Sequence, residues 1–252
     1  MELTPAQFAR IEDCLPRQRG NVSLDNLQVL NAILFVAENG CKWRALPKRF
    51  GNWHTIYTRM NRWAKAGVLD RVFERMQAEQ LVRVRLEAVS LDSTIVKVHP
   101  DGTGARKKNG PQAIGRSRGG WTTKIHMAAA DSRCALAFSL SPGQAGDAPA
   151  GRALLHALPP LPVRCHLVMD RAYEGNETRQ LALDLGLDPV VPPHPLRAQP
   201  WAYNTEIYKR RNEIERLFRR LKGFRRIFSR FDKLDVMFAA FIHFALIVES
   251  LR

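Results

Sequence analysis

The fifteen residues Tyr208-Lys-Arg-Arg-Asn-Glu-Ile-Glu-Arg-Leu-Phe-Arg-Arg-Leu-Lys222 constrain the architecture of this chain more than any other stretch. They hold no Gly or Pro and are dominated by Leu, Arg, Lys and Glu, so the segment favours helix. At about 100° per residue, Ile214, Leu217, Phe218 and Leu221 form a stripe roughly 100° wide that must face a core. Tyr208, Arg211, Glu215 and Lys222 fall within an arc of roughly 60° beside that stripe. A single carboxylate therefore stands on the border between buried and wet faces, with cations along its own line. A purely solvated helix would scatter its charges over the outer face and tie them in i,i+4 pairs.

The charge balance narrows the partners. Thirty-nine Lys and Arg against 24 Asp and Glu give a net charge of +15, an excess that points to a polyanion, most often nucleic acid. A membrane surface is the competing partner, but neither a basic amphipathic anchor nor a lipidation motif is present. The most apolar run, Val236 to Val248, is too short to span a bilayer and carries His243; it reads as a buried C-terminal helix. The N-terminus lacks the basic and apolar regions of a signal peptide. Cys14, Cys41, Cys134 and Cys165 stand far apart, which supports neither a zinc cage nor a disulfide framework. They read as buried small apolar side chains in a reducing, cytoplasmic setting.

The first 80 or so residues read as wholly helical. Thr4 caps a helix over Pro5 to Leu15, and Ser23 caps a second that Gly40 stops. A basic turn, Lys42-Trp-Arg-Ala-Leu-Pro-Lys-Arg-Phe50, precedes a third helix with Trp53, Ile56, Tyr57, Met60 and Trp63 on one side. Val68 to about Val84 gives a fourth, with Leu69, Val72, Phe73 and Met76 inward. This arrangement suggests a helix-turn-helix unit in which Trp53 to Trp63 is the recognition helix, with Arg59 and Arg62 on its outer side. A helical cap with solvated Arg and Lys is the alternative.

From Leu86 the pattern changes. Ala88 to Val98 is a strand carrying Asp92. A loop from Pro100 to Gly120 mixes glycines, Gly104 among them, with Arg106, Lys107, Lys108, Arg116 and Arg118. Thr122 to Ala129 and Cys134 to Leu140 form a hairpin, Asp147 to Leu158 a helix, and Arg164 to Met169 a strand ending at Asp170. Glu177 to Leu185 is helical, Asp188 to Val191 is a strand, and Pro192 to Pro200 is a Pro-rich loop tolerant of insertion. Three strands, a helix, a strand, a helix, a strand and a final helix is the order of an RNase H-like α/β fold. The expected division is a helical DNA-binding domain over residues 1–84 and an RNase H-like domain over 85–252.

In that order Asp92 sits mid-strand, Asp170 at the end of the adjacent parallel strand, and Glu215 on a helix crossing the sheet edge. Three carboxylates without a His or Cys ligand favour Mg²⁺ or Mn²⁺ over zinc. Two such ions about 4 Å apart suit phosphodiester chemistry, one at the attacking and one at the leaving oxygen. Lys97, His99 and His126, near the first acid, read as structural or phosphate-contacting groups.

The motifs resemble those of DDE transposases from bacterial insertion sequences, in the insertion-sequence-five group. Leu-Asp92-Ser-Thr is similar to the first acidic motif, and Asp170-Arg-Ala-Tyr173 to the second. The spacing Tyr208-x2-Arg211-x3-Glu215-x6-Lys222 is similar to the third, and Trp43 to Thr55 to the N-terminal region of that group. The resemblance implies catalytic and metal-ligating roles for Asp92, Asp170 and Glu215, with two Mg²⁺ ions (or Mn²⁺) per site. It implies phosphate or DNA contacts for Tyr208, Arg211 and Lys222. Arg219, Arg59, Arg62, Lys124, Arg116 and Arg118 join them as further candidate DNA contacts, and ten Lys or Arg lie between Lys209 and Arg230. The implied activity is binding of terminal inverted repeats followed by strand cleavage and strand transfer on double-stranded DNA, by a homodimer in the cytoplasm at the nucleoid. Only 44 residues separate Asp170 from Glu215, too few for a large insertion domain. A two-metal nuclease without joining, and an inactive DNA-binding regulator, are the alternatives.

Overall fold

The computed structural model describes residues 2–18, 20, 22–81, 86–103, 110–158, 161 and 163–252. The expected boundary at 84/85 and the loop residues Gly104, Arg106, Lys107 and Lys108 lie outside them. The chain divides into two units. One comprises Met1–Glu79, Val98–Gln112 and Leu221–Arg252; the other comprises Gln80–Lys97 and Ala113–Arg220.

The first unit is helical. Thr4 and Gln7 form a reciprocal capping box on α1 (Pro5–Ala9), which is shorter than expected and gives way to a 3₁₀ turn over Glu12–Cys14. Asp25, not Ser23, caps α2 (Asn26–Asn39): its carboxylate accepts from the Gln28 N–H at 2.6 Å, a charged acceptor at the positive end of the helix. Gly40 ends α2 in the left-handed region with φ of 66°, and a Cβ there would lie 2.8 Å from that of Arg225. Two 3₁₀ turns, Trp43–Ala45 and Lys48–Phe50, carry the basic turn. Asn52 caps α3 (Trp53–Lys65), which buries Ile56, Met60, Trp63 and Ala64. α4 (Val68–Leu81) follows, with Leu69, Val72, Phe73 and Met76 buried.

The second unit is built on a sheet. Its strands are β1 (Ala88–Val98), β2 (Gly115–Ser117), β3 (Gly120–Ala129), β4 (Ala135–Pro142), β5 (Cys165–Met169) and β6 (Leu187–Val190). The order is β2-β3-β1-β5-β6, with β4 also on β3. β3 runs antiparallel to β1, β2 and β4, whereas β5 and β6 run parallel to their neighbours. The crossovers carry α5 (Asp147–His156) and α6 (Asn176–Asp184). Three antiparallel strands followed by two helix-linked parallel ones make the RNase H-like architecture expected from the element order. β2 was not expected, because Gly115-Arg-Ser117 holds no β-branched or aromatic residue. It forms because β3 extends beyond the reach of β4, and its first residues, Gly120 to Thr122, take a partner there.

Strand alternation assigns the faces. Val89, Leu91, Leu167 and Met169 pack with Leu154, Leu155, Tyr173 and Ala182 on one side. Ala88, Val168 and Val190 pack on the other against Tyr203, Ile207 and Tyr208. Gly151 on α5 lets the Tyr173 ring approach, since a Cβ there would stand 2.5 Å from Cε1.

The segment 205–223 is helical but not one α-helix. α7 (Thr205–Tyr208) runs into a 3₁₀ turn over Lys209–Arg211 and then into α8 (Asn212–Gly223). Ile207 and Tyr208 pack on the sheet, and Ile214 and Leu217 are fully buried; the tighter turn reconciles these two anchor points. Beyond Gly223 come two further elements that the sequence reading passed over, α9 (Arg225–Phe228) and the two-residue strand β7 (Ser229–Arg230). α10 (Asp235–Leu251) is almost entirely buried, as its apolar run requires. Of the cysteines, Cys134 and Cys165 are buried but Cys14 and Cys41 only partly so. No helix among the described residues is long and apolar enough to cross a membrane.

Candidate active site

The strand register brings the first two acids together. Leu91 of β1 is paired with Met169 of β5 in parallel, so the next residues along, Asp92 and Asp170, emerge side by side. Both share the parity of Ala88 and Val168, which turns them to the face covered by Tyr203 to Tyr208. Asp92 Oδ1 accepts from the Ser93 N–H at 2.7 Å and Asp170 Oδ1 from the Ala172 N–H at 2.8 Å. Burial raises Asp92 to about 6, and repulsion from Asp170 and Glu215 adds to it against the opposing pull of Arg211. Asp170 is raised as well, chiefly by burial, with Asp147 contributing.

Arg211 is the cation that meets them. One guanidinium nitrogen lies 3.4 Å from Asp92 Oδ2 and the other 2.5 Å from Glu215 Oε1. The 3₁₀ turn brings Tyr208 into line with Arg211, because residues three apart eclipse in that geometry. Burial raises the Tyr208 phenol, with the Asp170 charge a lesser cause. Lys222 lies two turns after Glu215 on α8, and burial lowers its ammonium.

Hard carboxylate oxygens in surplus over nearby cations suit a divalent ion of the magnesium type. Asp92 and Asp170 meet that requirement. Among the described residues, however, no three acidic, His or Cys side chains stand close enough to hold a metal together. Glu215 is held by Arg211 instead of completing such a set.

The remaining candidate contacts divide by geometry. Arg62, Arg116, Arg118 and Arg219 are exposed. Arg59 is partly buried and donates to the Leu24 carbonyl at 2.9 Å. Lys124 donates to the Ala145 carbonyl at 2.7 Å and to Asp147 Oδ1 at 2.9 Å, with 11% of its side chain exposed. Asp147 went unremarked in the sequence except as a helix start. It also accepts from Ser93 Oγ at 2.7 Å and lies 3.9 Å from the buried ring of His126. Its position at the first turn of α5, after Gly146, and the parity of Ser93, Lys124 and His126 were the available signals.

Residues 3–73 match a family described as "Putative transposase of IS4/5 family", and residues 84–248 match "Transposase DDE domain". A putative transposase for insertion sequence element IS6501 from Brucella ovis is 31% identical over 132 residues, which are 52% of this chain and 99% of that protein. The uncharacterized protein y4sN of Sinorhizobium fredii is 34% identical over 107 residues, 41% of this chain and 82% of that protein. A solved Mos1 transposase paired-end complex with left transposon end aligns over 88% of this chain and 82% of that one, at 12% identity and a TM-score of 0.30. The match over residues 84–248 contains Asp92, Asp170 and Glu215 and every strand of the sheet that positions the first two. On that match the chain belongs to the DDE transposases of insertion sequences.

Proposed function

We propose that this transposase binds the ends of its element through the helical segment 1–84 and cuts and joins DNA strands through the domain 85–252. The observation that carries the reading is the adjacency of Asp92, midway along β1, and Asp170, just past the end of the parallel β5, with Glu215 tied to Asp92 through Arg211. In this reading the three carboxylates are the catalytic, metal-holding set. Two Mg²⁺ or Mn²⁺ ions, when bound, supply activation of the attacking oxygen and stabilisation of the leaving one. Asp92 and Asp170 would hold them from neighbouring strands, and Glu215 would supply the third carboxylate. Arg211 and Lys222 would contact DNA phosphate, and Tyr208 would orient it by stacking or hydrogen bonding. Arg219, Arg62, Arg116 and Arg118 offer exposed cations for the duplex backbone. Arg59 and Lys124 are engaged internally, so their assignment as DNA contacts is the weaker part of the set.

The helical segment contributes a helix-turn-helix with α3 as the recognition helix. Two element ends call for two active sites, hence a homodimer on DNA in the cytoplasm, at the nucleoid. The test is joining of a labelled element end to plasmid DNA with Mg²⁺, beside an Asp170→Asn control. Joined product supports the transposase; hydrolysis without joining would leave a nuclease. DNA binding with neither reaction would leave a regulator.

A further inference from the structure

The basic turn over Lys42–Phe50 has no role in the mechanism above, yet it forms one wall of a cleft within the helical unit. The cleft measures about 640 Å³, inside the range of about 300–1,000 Å³ usual for small organic groups. Trp43, Trp53, Tyr57 and Phe231 line it, all of them partly exposed. Trp43 meets Tyr57 edge-on at 5.6 Å, and the Arg44 guanidinium lies 5.5 Å over the Trp53 ring. Phe231 is stacked on His99 at 4.3 Å with Arg226 5.0 Å away. Trp43, Trp53 and Tyr57 are the other aromatic rings of the lining.

Two polar features go with these rings. Asp232, also lining the cleft, has its Oδ2 buried without a hydrogen-bond partner. The nearest guanidinium nitrogen, on Arg226, stands 3.9 Å away, beyond hydrogen-bond reach. A buried oxygen of this kind asks for a donor. Arg44 and Lys233 are exposed and make no ion pair among the described residues, and Lys42 has a loose partner in Asp101 at 3.7 Å. Aromatic rings and exposed cations match two parts of a nucleotide, base plane and phosphate, and the unpartnered Asp232 oxygen lies in a residue of the same lining. A paired base offers neither its face nor its N–H edge, because stacking and pairing cover both.

We propose that this cleft takes an unpaired nucleotide of the DNA, its base against Trp43, Trp53 and Tyr57 and its phosphate on Arg44 and Lys233. The inference rests on the DNA-binding reading above but not on the catalytic one. The test uses the full chain without divalent metal and three labelled duplexes. One is fully paired, one carries a single unpaired thymidine, and one an abasic residue at the same position. The unpaired base strengthens binding about tenfold over the abasic duplex, and Trp53→Ala or Arg44→Ala removes most of that gain. Arg44 is exposed, so its variant covers the case in which the tryptophan variant does not fold. Photocrosslinking from 5-iododeoxyuridine at the unpaired position attaches to Trp43, Trp53 or Tyr57. Equal binding of the two interrupted duplexes, or crosslinks mapping elsewhere, overturns the cleft assignment alone. Failure to bind all three overturns the DNA-binding reading and the cleft with it.

Discussion

Arg211 reaches Asp92 across 119 residues of sequence, one guanidinium nitrogen 3.4 Å from Oδ2, while its other nitrogen holds Glu215 at 2.5 Å. A guanidinium thus supplies positive charge where the proposed chemistry needs a divalent ion. In the proposed site the two cations would compete for the same oxygens. Arg211→Ala is expected to lower the thermal stability of the metal-free protein, because Asp92, Asp170 and Glu215 lose their neutralising partner. It is expected also to enlarge the stabilisation that Mn²⁺ confers, read by thermal shift across a metal titration. A smaller Mn²⁺ effect than in the unaltered chain would refute the competition.

Asp92→Asn, Asp170→Asn and Glu215→Gln are each expected to reduce strand cleavage by roughly a thousandfold or more, with little change in affinity for DNA. Gel-based cleavage beside binding by anisotropy separates the two. Retained cleavage in any one of them removes that residue from the proposed set.

The pH dependence follows from Asp92, whose folded value of about 6 lies above the ordinary 3.8. A raised carboxyl binds its proton more tightly folded than unfolded. Its contribution is fully present below about pH 4 and is lost as pH rises through 6. Asp92→Asn is therefore expected to stabilise the metal-free protein above pH 6, by on the order of 1–3 kcal/mol. Below pH 4 the difference fades. Urea denaturation at pH 4 and 7.5 checks this, and an equal effect at both would count against it.

Lys124 gives a contrasting case, since its ammonium is bonded to Asp147 and the Ala145 carbonyl. Lys124→Met is expected to cost about 1–3 kcal/mol of stability by leaving those acceptors short of a donor. DNA affinity and its salt dependence stay unchanged. A reduced salt slope would instead restore Lys124 as a phosphate contact.

In the helical unit, Arg230 is fully buried and donates to the Asp235 carboxylate at 2.7 Å and to the Asp232 and Lys233 carbonyls. Removing one partner of a buried pair leaves the other uncompensated. Arg230→Leu is expected to cost about 3–5 kcal/mol, measured by urea titration. A loss below 1 kcal/mol would show that the pair is dispensable.

The sheet was legible because its strands carry strong local signals. Ala88–Val98 was read with its observed bounds, and the parallel neighbour ending at Asp170 followed from an apolar run that a lone acid stops. What escaped depends on partners distant in sequence. β2 exists only because β3 offers it an edge, and the 3₁₀ turn at Lys209–Arg211 only because packing on both sides sets the chain's rotation. Asp147 is similar: its helix-start position and strand parity are the only signals that Ser93, Lys124 and His126 converge on its side of the sheet. The link from Arg211 to Asp92 spans half the chain and has no local trace.

The pairing of Leu91 with Met169 has a consequence for how such a chain can change length. Inserting a single residue into either strand would swing one acid to the opposite side of the pleat and separate it from its neighbour. The irregular stretch between Val191 and Asn204 bears no such bookkeeping and can lengthen at little thermodynamic cost. Growth in size is thus channelled away from the paired strands and into that surface loop, where new segments can be added without altering the spacing between Asp92 and Asp170.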